Sequence, residues 1–493
     1  MDCINHWGHG ASGQWIFYTF DNSPMGELEE KVDIDRISFS ATDELVNLGI
    51  RKYNNQVYAG NYVGVCRLKD VTGKNILSFD GKEVILKIEP RFKVSVVDML
   101  NLIKDDDEFE RYLAPQTIRM SSEEKEVEDL EKNELFHFFD KESPIFITDK
   151  IARESSVLTA TVFVSMLKDL CRRPLMGKMI STEQNLVGKV KGKILFEKNI
   201  RQNSIKGRDD RLYCKYLRYS EDITENQLLK AALHKASQFL NKYFGNTISK
   251  KNSYKNMISY CQNALNHISL MKITQRDVNS LKVTGCYAYY KPVISVAKMV
   301  LNEITLESNG GSKVTSYVIP YAVSMSKLFE MYVRAYLKKA GILPFDDETV
   351  GIHLLKYDYK SKVFNNTVDN SANYIGGIIK PDIIIENTAN GKRVVFDVKY
   401  KNLHNGRNAR GDRLQILAYG LMYNCDDVGI FFPSSEGEDS YFYNKNEIAS
   451  AENRRRFYHQ FELGISTKWD FSVKSLDDAT QNHIFSYFEE LLK

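Results

Sequence analysis

The chain lacks several features that would place it quickly. Its seven cysteines (Cys3, Cys66, Cys171, Cys214, Cys261, Cys286 and Cys425) are odd in number, scattered, and never spaced C-x-x-C. That pattern offers neither a disulfide framework nor a zinc site, and it points to a reducing, cytoplasmic setting. No run of about eighteen apolar residues occurs, and the opening MDCINHWGHGASG has no basic region followed by an apolar one, so neither a membrane span nor secretion is expected. A formal net charge of +3 is too small to draw nucleic acid by a global field, which leaves that task to local basic patches. There is also no G-x-x-x-x-G-K-[ST] loop. Lys313 in SNGGSKVTS lacks the required frame, so no nucleoside triphosphate is expected to bind here through a P-loop.

Apolar material, by contrast, is ample. At 493 residues the chain exceeds what one hydrophobic core usually supports, so two or three domains are expected. From Met1 to Phe92 the runs QVYAGNYVGVCRL, NILSF and KEVILKIEPRF, with an Asp80-Gly81 turn, predict a small β-rich module in which Trp7 and Trp15 are packing residues. Residues 93–310 are mostly helical in pattern. A helix begins at Val94, Glu123 to Glu134 is a charged, solvated face, and Val157 to Leu170 is apolar nearly all round. Amphipathic stretches follow at Glu225 to Phe244, Tyr254 to Met271 and Val293 to Leu306. Residues 311–493 mix both periods, with GIFFP and FELGIST as strands and HIFSYFEELLK as a closing helix. The expected fold is therefore multidomain α+β: a β-rich module over 1–92, a helical middle region over 93–310 and an α/β domain over 311–493.

One segment of the middle region stands apart. Residues 188–218 carry ten Lys or Arg, among them Lys189, Lys191, Lys193, Arg201, Arg208 and Arg211, against three acids, and Phe196, Tyr213 and Tyr216 are interleaved with them. Basic residues with aromatics can grip a phosphate backbone, and a solvated face turned to an acidic partner accounts for them equally well.

The stretch richest in chemistry runs from Ile378 to Tyr400, IIKPDIIIENTANGKRVVFDVKY. Two β-branched runs, Ile378 to Ile385 and Val394 to Tyr400, flank a turn near Asn390 and Gly391, which predicts a buried hairpin. Apolar runs of this kind suit strands covered on both faces, so Asp382, Asp397 and Lys399 need a reason to be there. Asp397 and Lys399 share a face, and hairpin closure brings Asp382 across from them. Two carboxylates can hold Mg²⁺ against a phosphate while a lysine orients or deprotonates the attacking water. An ordinary buried ion pair is the alternative for the same residues.

An acid, any residue and a lysine recur at Glu29, Asp80, Glu123 and Asp358, so the triplet alone decides nothing. The Asp358 copy has Asp346 and Asp347 upstream, but these sit in a turn-like PFDDET segment and not on an apolar strand. Upstream, Ala322 to Ala340 has apolar residues at 325, 328, 329, 332, 333 and 336, the spacing of a helix, with Glu330 beside the stripe as a candidate further metal ligand. Downstream, the polar KNLHNGRNARGDR predicts a loop. In the helix that follows, Gln415 and Tyr419 lie four apart on one face, able to point toward a metal centre or a DNA backbone.

Pro381-Asp382 followed by Asp397-Val398-Lys399 resembles the signature of the PD-(D/E)XK nucleases. The order of motifs resembles the McrC-type nuclease subunit of the McrBC modified-cytosine restriction systems. It runs through Val190-Lys191-Gly192-Lys193-Ile194, Asn199-Ile200-Arg201, Asn226-Gln227-Leu228-Leu229-Lys230, Tyr290-Lys291-Pro292-Val293 and Leu328-Phe329-Glu330 to the acidic site, Gln415 and Tyr419. Asn61-Tyr62-Val63-Gly64-Val65 and Ile88-Glu89-Pro90-Arg91-Phe92 resemble the β module of longer members. The resemblance implies a PD-(D/E)XK domain that cuts double-stranded DNA with Mg²⁺ held by Asp382, Asp397 and the Val398 carbonyl. It also implies docking on a McrB-like AAA+ GTPase ring, which uses the GTP and reads the target. Two rivals remain at this point: a non-cutting adaptor that stimulates a ring NTPase, and a stand-alone nuclease of the same fold.

Overall fold

The computed structural model describes residues 5–10, 13–39, 45–92, 96–103, 113, 118–120, 135–139, 142, 145–147, 149–244, 253–271, 281, 283, 285–307, 316–339, 352–355, 357–358, 363–364, 374–379, 381–386, 390, 392–401, 409–433, 441–448 and 456–463. The acidic run Glu123 to Glu134, the Asp346-Asp347 pair and the expected closing helix lie outside these residues. Described residues form a mixed, multidomain α/β structure whose contacts divide it into two compact units. One comprises 1–148, 247–254 and 319–493; the other comprises 149–246 and 255–318. This division differs from the three consecutive segments expected from the sequence, because the β-rich module and the C-terminal region share one sheet.

That sheet has seven strands, in the order His6–His9, Trp15–Phe20, Val84–Glu89, Tyr62–Arg67, Tyr321–Ser324, Phe136–Phe138 and Ile118–Met120. Trp15–Phe20 and Val84–Glu89 run parallel, and the buried side chains of Ile16, Phe17, Val84, Leu86 and Ile88 fill its core. The Asp80-Gly81 turn is present, with Gly81 N–H donating to Ser78 O at 2.9 Å and Gly81 at φ 76°. Tyr62–Arg67 pairs on one side with Val84–Glu89 and on the other with Tyr321–Ser324, where Val65 faces Tyr321. The two strands meet closely at Gly64, where a Cβ would sit 2.0 Å from the Tyr321 carbonyl oxygen.

Residues 322–324 were expected to begin a helix. They are instead strand, paired on both edges, and the helix is Met325–Lys339. A row of apolar residues entering a helix has no period of its own over three positions, so only the neighbouring strands decide it. Leu328, Phe329, Tyr332, Val333 and Tyr336 are buried along the helix, as the stripe predicts.

The C-terminal sheet has five strands, Ile383–Glu386, Arg393–Val398, Asp427–Pro433, Arg456–Leu463 and Tyr441–Ile448. The first pair is antiparallel, and Arg393–Val398, Asp427–Pro433 and Arg456–Leu463 run parallel. Helix Ala409–Met422 makes the crossover between the first two parallel strands. It covers one face of the sheet through Ile416, Tyr419 and Tyr423 packed on Val395, Val428 and Ile430. On the sheet the rings of Phe396, Phe431 and Phe461 cluster at centroid distances of 4.9–5.7 Å. The helix starts at Ala409, inside what the sequence suggested was loop, and Tyr441–Ile448 is a strand that the sequence did not suggest.

The other unit is helical at its centre. Asp149–Cys171, Thr224–Phe244 and Tyr290–Glu307 pack together through buried residues such as Val157, Phe163, Leu228, Leu240 and Val296. Tyr290 donates its hydroxyl to Asn226 Oδ1 at 3.0 Å and accepts from Met176 N–H at 2.7 Å, which joins two of the motif segments. Lys178–Val187 and Arg211–Ser220 form a ten-residue antiparallel ribbon, edged by Lys193–Ile194. No helix among the described residues is long and apolar enough to cross a membrane.

Gly64→Ala should force the Tyr62–Arg67 and Tyr321–Ser324 strands apart. We expect a loss of roughly 2 kcal/mol or more, seen as a lowered melting temperature; an Ala variant that melts with the parent would contradict the close approach.

Candidate active site

The expected strand from Ile378 to Ile385 is broken in two. Tyr374–Ile379 pairs with Ile352–Leu355, whereas Ile383–Glu386 pairs with Arg393–Val398, and Pro381-Asp382 lies at the break. Proline has no N–H to give a ladder, so a run containing it ends or changes partner there. Beyond the break the hairpin has the register Ile383↔Phe396, Ile384↔Val395 and Ile385↔Val394. One step further out, Asp382 stands opposite Asp397, and Asp382 Oδ2 accepts the Val398 N–H at 2.7 Å. The Asn390 side chain shapes the turn by accepting from Lys392 N–H at 2.9 Å.

Side-chain alternation puts Val395, Asp397 and Lys399 on the face covered by helix Ala409–Met422. Asp397 is 2 % exposed, and its Oδ2 lies 2.6 Å from Lys399 Nζ. Burial, with the Glu330 and Asp397 carboxylates beside it, holds Asp382 well above the usual carboxylate range, against the pull of the Val398 amide. Burial opposes the Lys399 charge, but Asp397, Asp382 and Asp412 more than offset it and raise that group. The sequence-derived pair on the helix also arrives. Gln415 Nε2 donates to Tyr419 Oη at 2.8 Å. Burial pushes the Tyr419 phenol up, and the charges of Asp397 and Asp382 add to it.

Glu330, Asp382, Asp397, Lys399, Gln415 and Tyr419 are thus brought into one neighbourhood. Residues that the sequence did not single out join them. Arg334, one helical turn beyond Glu330, donates from Nη1 to the Asp382 carbonyl oxygen at 2.9 Å. Asp412, at the start of helix Ala409–Met422, pairs with Lys401 and acts on Lys399. An arginine four residues after the candidate glutamate, hence on its helix face, was the available signal for the first. The Asp358 copy of the triplet falls on strand Tyr357–Asp358, and its lysine lies outside the described residues.

The basic residues lie in the other compact unit. Lys189, Lys191, Lys193, Arg201 and Arg208 are exposed and Arg211 is half-buried, spread over the ribbon, its edge strand and helix Phe196–Gln202. Several are already engaged: Lys191 sits 4.5 Å from the centre of the Tyr216 ring, and Arg201 pairs with Glu197 at 3.1 Å. The sequence did not show how apolar this surface is. Met179, Phe196, Ile200, Ile205 and Leu217 are all more than half exposed.

Among the described residues no three His, Cys, Asp or Glu side chains gather into a closed metal cage. Mg²⁺ does not need one. It commonly takes one or two carboxylates and completes its octahedron with water and phosphate oxygens. Buried Asp397 and half-buried Asp382 face each other across the hairpin, with Glu330 acting on Asp382 and the Lys399 ammonium on Asp397, a hard-oxygen donor set that fits such an ion.

A family model described as a McrBC 5-methylcytosine restriction system component matches residues 57–433. Among solved structures the chain is similar to one from Thermococcus gammatolerans, a refined half-complex of McrB AAA+ hexamers with bound McrC. Identity there is 12%, over 96% of this chain and 100% of that one, with a TM-score of 0.37. A cryo-EM structure of the Thermococcus gammatolerans McrBC complex matches at 14% identity over 66% of this chain and 87% of that one, with a TM-score of 0.27. No curated protein matches.

Lys399→Met would leave Asp397 buried beside Asp382 without a cation. In EDTA we expect its melting temperature to fall, equivalent to roughly 1–3 kcal/mol, and millimolar MgCl₂ to recover more in the variant than in the parent. Equal melting of the two proteins in EDTA would show that the pair contributes nothing.

Proposed function

Because the chain belongs to the family of McrBC 5-methylcytosine restriction system components, we propose that it is the subunit of such a system that cuts double-stranded DNA. It would work with a McrB-like AAA+ GTPase ring in the cytoplasm. The observation that supports the reading is the meeting of Asp382, Asp397 and Lys399 at the end of a strand held by one parallel neighbour and a crossover helix. Ends of parallel strands are where α/β sheets collect their functional groups. In this reading the C-terminal sheet and helix Ala409–Met422 are a PD-(D/E)XK domain.

Asp382, Asp397 and the Val398 carbonyl would hold Mg²⁺, with Glu330 as a further oxygen donor. The ion, when bound, supplies Lewis-acid polarisation of the phosphate and a more acidic water. The chain's own residues do the placing. Asp382 and Asp397, fixed by register and by the Val398 amide, set where the scissile phosphate lies. Lys399, kept charged by Asp397, orients the attacking water and offsets the charge that builds on the phosphate oxygens. Tyr419, steadied by the Gln415 amide, turns a hydroxyl donor toward the same place. GTP belongs to the partner, in keeping with the lack of a P-loop here.

The ribbon Lys178–Val187 with Arg211–Ser220 and helix Phe196–Gln202 is assigned to the ring and not to DNA. Its charge alone suits either partner, but exposed Phe196, Ile200, Ile205 and Leu217 between the lysines are what a protein surface buries and a phosphate backbone does not.

Two experiments test the reading with the purified chain and its AAA+ partner. Asp397→Asn and Lys399→Ala should each slow Mg²⁺-dependent cleavage by about 100-fold or more while stimulation of GTP hydrolysis persists; cleavage at the parental rate by both would refute the site. An adaptor would stimulate hydrolysis with no metal-dependent nicking by the parent, and a stand-alone nuclease would cut without the partner. Phe196→Asp with Ile205→Asp should abolish stimulation of the partner and leave the melting temperature unchanged. Undiminished stimulation would remove this surface from the docking interface.

A further inference from the structure

A second group of buried polar residues, in the same compact unit as the acidic site, touches the catalytic strand without sharing its chemistry. Asp21 follows strand Trp15–Phe20 and is fully buried. Its carboxylate accepts the Arg91 N–H at 2.7 Å and Asn22 Nδ2 at 3.1 Å, and lies 3.5 Å from Arg91 Nε. Arg91 then reaches across the unit. Its Nη2 donates to the carbonyl oxygen of Tyr400 at 2.5 Å, and its guanidinium sits 5.3 Å from the centre of the Tyr400 ring. Phe92 meets that ring edge-on at 5.0 Å, and Phe329 flanks it at 5.8 Å. Burial pushes the Tyr400 phenol up, and the Asp21 charge adds to it.

Tyr400 is the residue after Lys399, and 309 positions separate it from Arg91. A buried aspartate and arginine are a poor source of stability, since apolar side chains of the same volume would serve as well. What they supply is geometry: the carboxylate holds the Arg91 backbone N–H and lies within ion-pair distance of Nε, while Nη2 of the planar fork holds a carbonyl. We infer that Arg91, braced by Asp21, is a positioning residue for the acidic site, holding the backbone at Tyr400 so that the Lys399 ammonium stays aimed at Asp397. Arg334 makes the matching contact on the other strand, at the Asp382 carbonyl. The N-terminal β sheet, through Arg91, is then part of the catalytic frame and more than an appended module.

The chemical part of this inference rests on the nuclease reading; the mechanical part does not, and the test separates them. Arg91→Met and Arg91→Lys are compared with the parent and with Asp397→Asn, each as the full chain with its AAA+ partner. Single-turnover cleavage at saturating DNA and Mg²⁺ should fall roughly 10- to 100-fold in Arg91→Met, because small displacements of reacting groups cost that much. DNA half-saturation and stimulation of GTP hydrolysis should stay near the parent's. Arg91→Lys should recover only part of the rate, since an ammonium cannot hold both partners in one plane.

Amide hydrogen exchange, read by mass spectrometry without DNA or metal, should quicken at residues 399–401 and stay unchanged at Asp427–Pro433. If cleavage by Arg91→Met matches the parent while exchange is faster, the latch is mechanical only and the positioning role is overturned. If exchange at 399–401 is unchanged, the latch itself is wrong. If Asp397→Asn cuts normally, the nuclease reading fails and exchange alone judges the latch. Should Arg91→Met fail to fold, Arg91→Lys decides by the same two measurements, and parental values in both would sink the inference.

Discussion

The Glu330 and Asp397 carboxylates both act on a third, Asp382, with Asp397 almost wholly out of water, and the structure around them serves to keep them there. Two unit charges about 5 Å apart repel by roughly 3 kcal/mol at an effective dielectric of 20. A hydrogen bond to a charged group returns about 1.5–3 kcal/mol. The Val398 amide on Asp382 and the Lys399 ammonium on Asp397 are therefore of the size needed to hold the cluster, with little to spare. Such a site stays gathered only if the backbone carrying it cannot relax. The edge strand after Asp382 is pinned to its neighbour Arg393–Val398, the rings of Phe396, Phe431 and Phe461 pack against one another on the sheet, and guanidinium groups hold the carbonyls of both Asp382 and Tyr400.

The strand pair itself was legible in the chain. β-Branched runs on either side of Asn390 and Gly391 announce a hairpin, and period-two alternation then forces Asp397 and Lys399 to one side. Helical spacing likewise placed Phe329 and Tyr332 inward and put Gln415 one turn from Tyr419. What failed to show was whatever depends on partners far away in sequence. Pro381 ends one pairing and begins another, yet its neighbours Ile378, Ile379 and Ile383 look like one continuous strand. Ala322 and Val323 look like the opening of a helix until Gly64 and Phe136 are known to flank them. The contacts of Arg91 and Arg334 leave no pattern because their acceptors are carbonyl oxygens, which every residue carries.

The same limit governs the organisation of the chain. Hydrophobic pattern divides it into β-rich, helical and α/β thirds. Contacts regroup them: strand Tyr321–Ser324 completes a sheet begun at the other end of the molecule, so the helical middle region is an insertion between the parts of one compact unit. A module appended for another purpose would be free to diverge from the site. This one supplies, through strand Tyr62–Arg67, the template on which helix Met325–Lys339 is launched with Glu330 and Arg334, and through Val84–Glu89 the arginine that reaches Tyr400.

The two compact units also divide the kinds of surface between them. At the acidic site of one, the charges are few, largely shielded from water and held by specific contacts. In the other, the ribbon and helix Phe196–Gln202 carry charges that are exposed, numerous and paired loosely with aromatic rings, beside apolar side chains left in water. Buried, over-determined charge suits a site that must hold geometry to fractions of an ångström. Exposed apolar groups ringed by lysine suit an interface, because the rim charges steer encounter while the apolar groups supply the binding energy once water leaves. The two kinds of surface ask opposite things of the backbone: the first would be disordered by the adaptability on which the second depends.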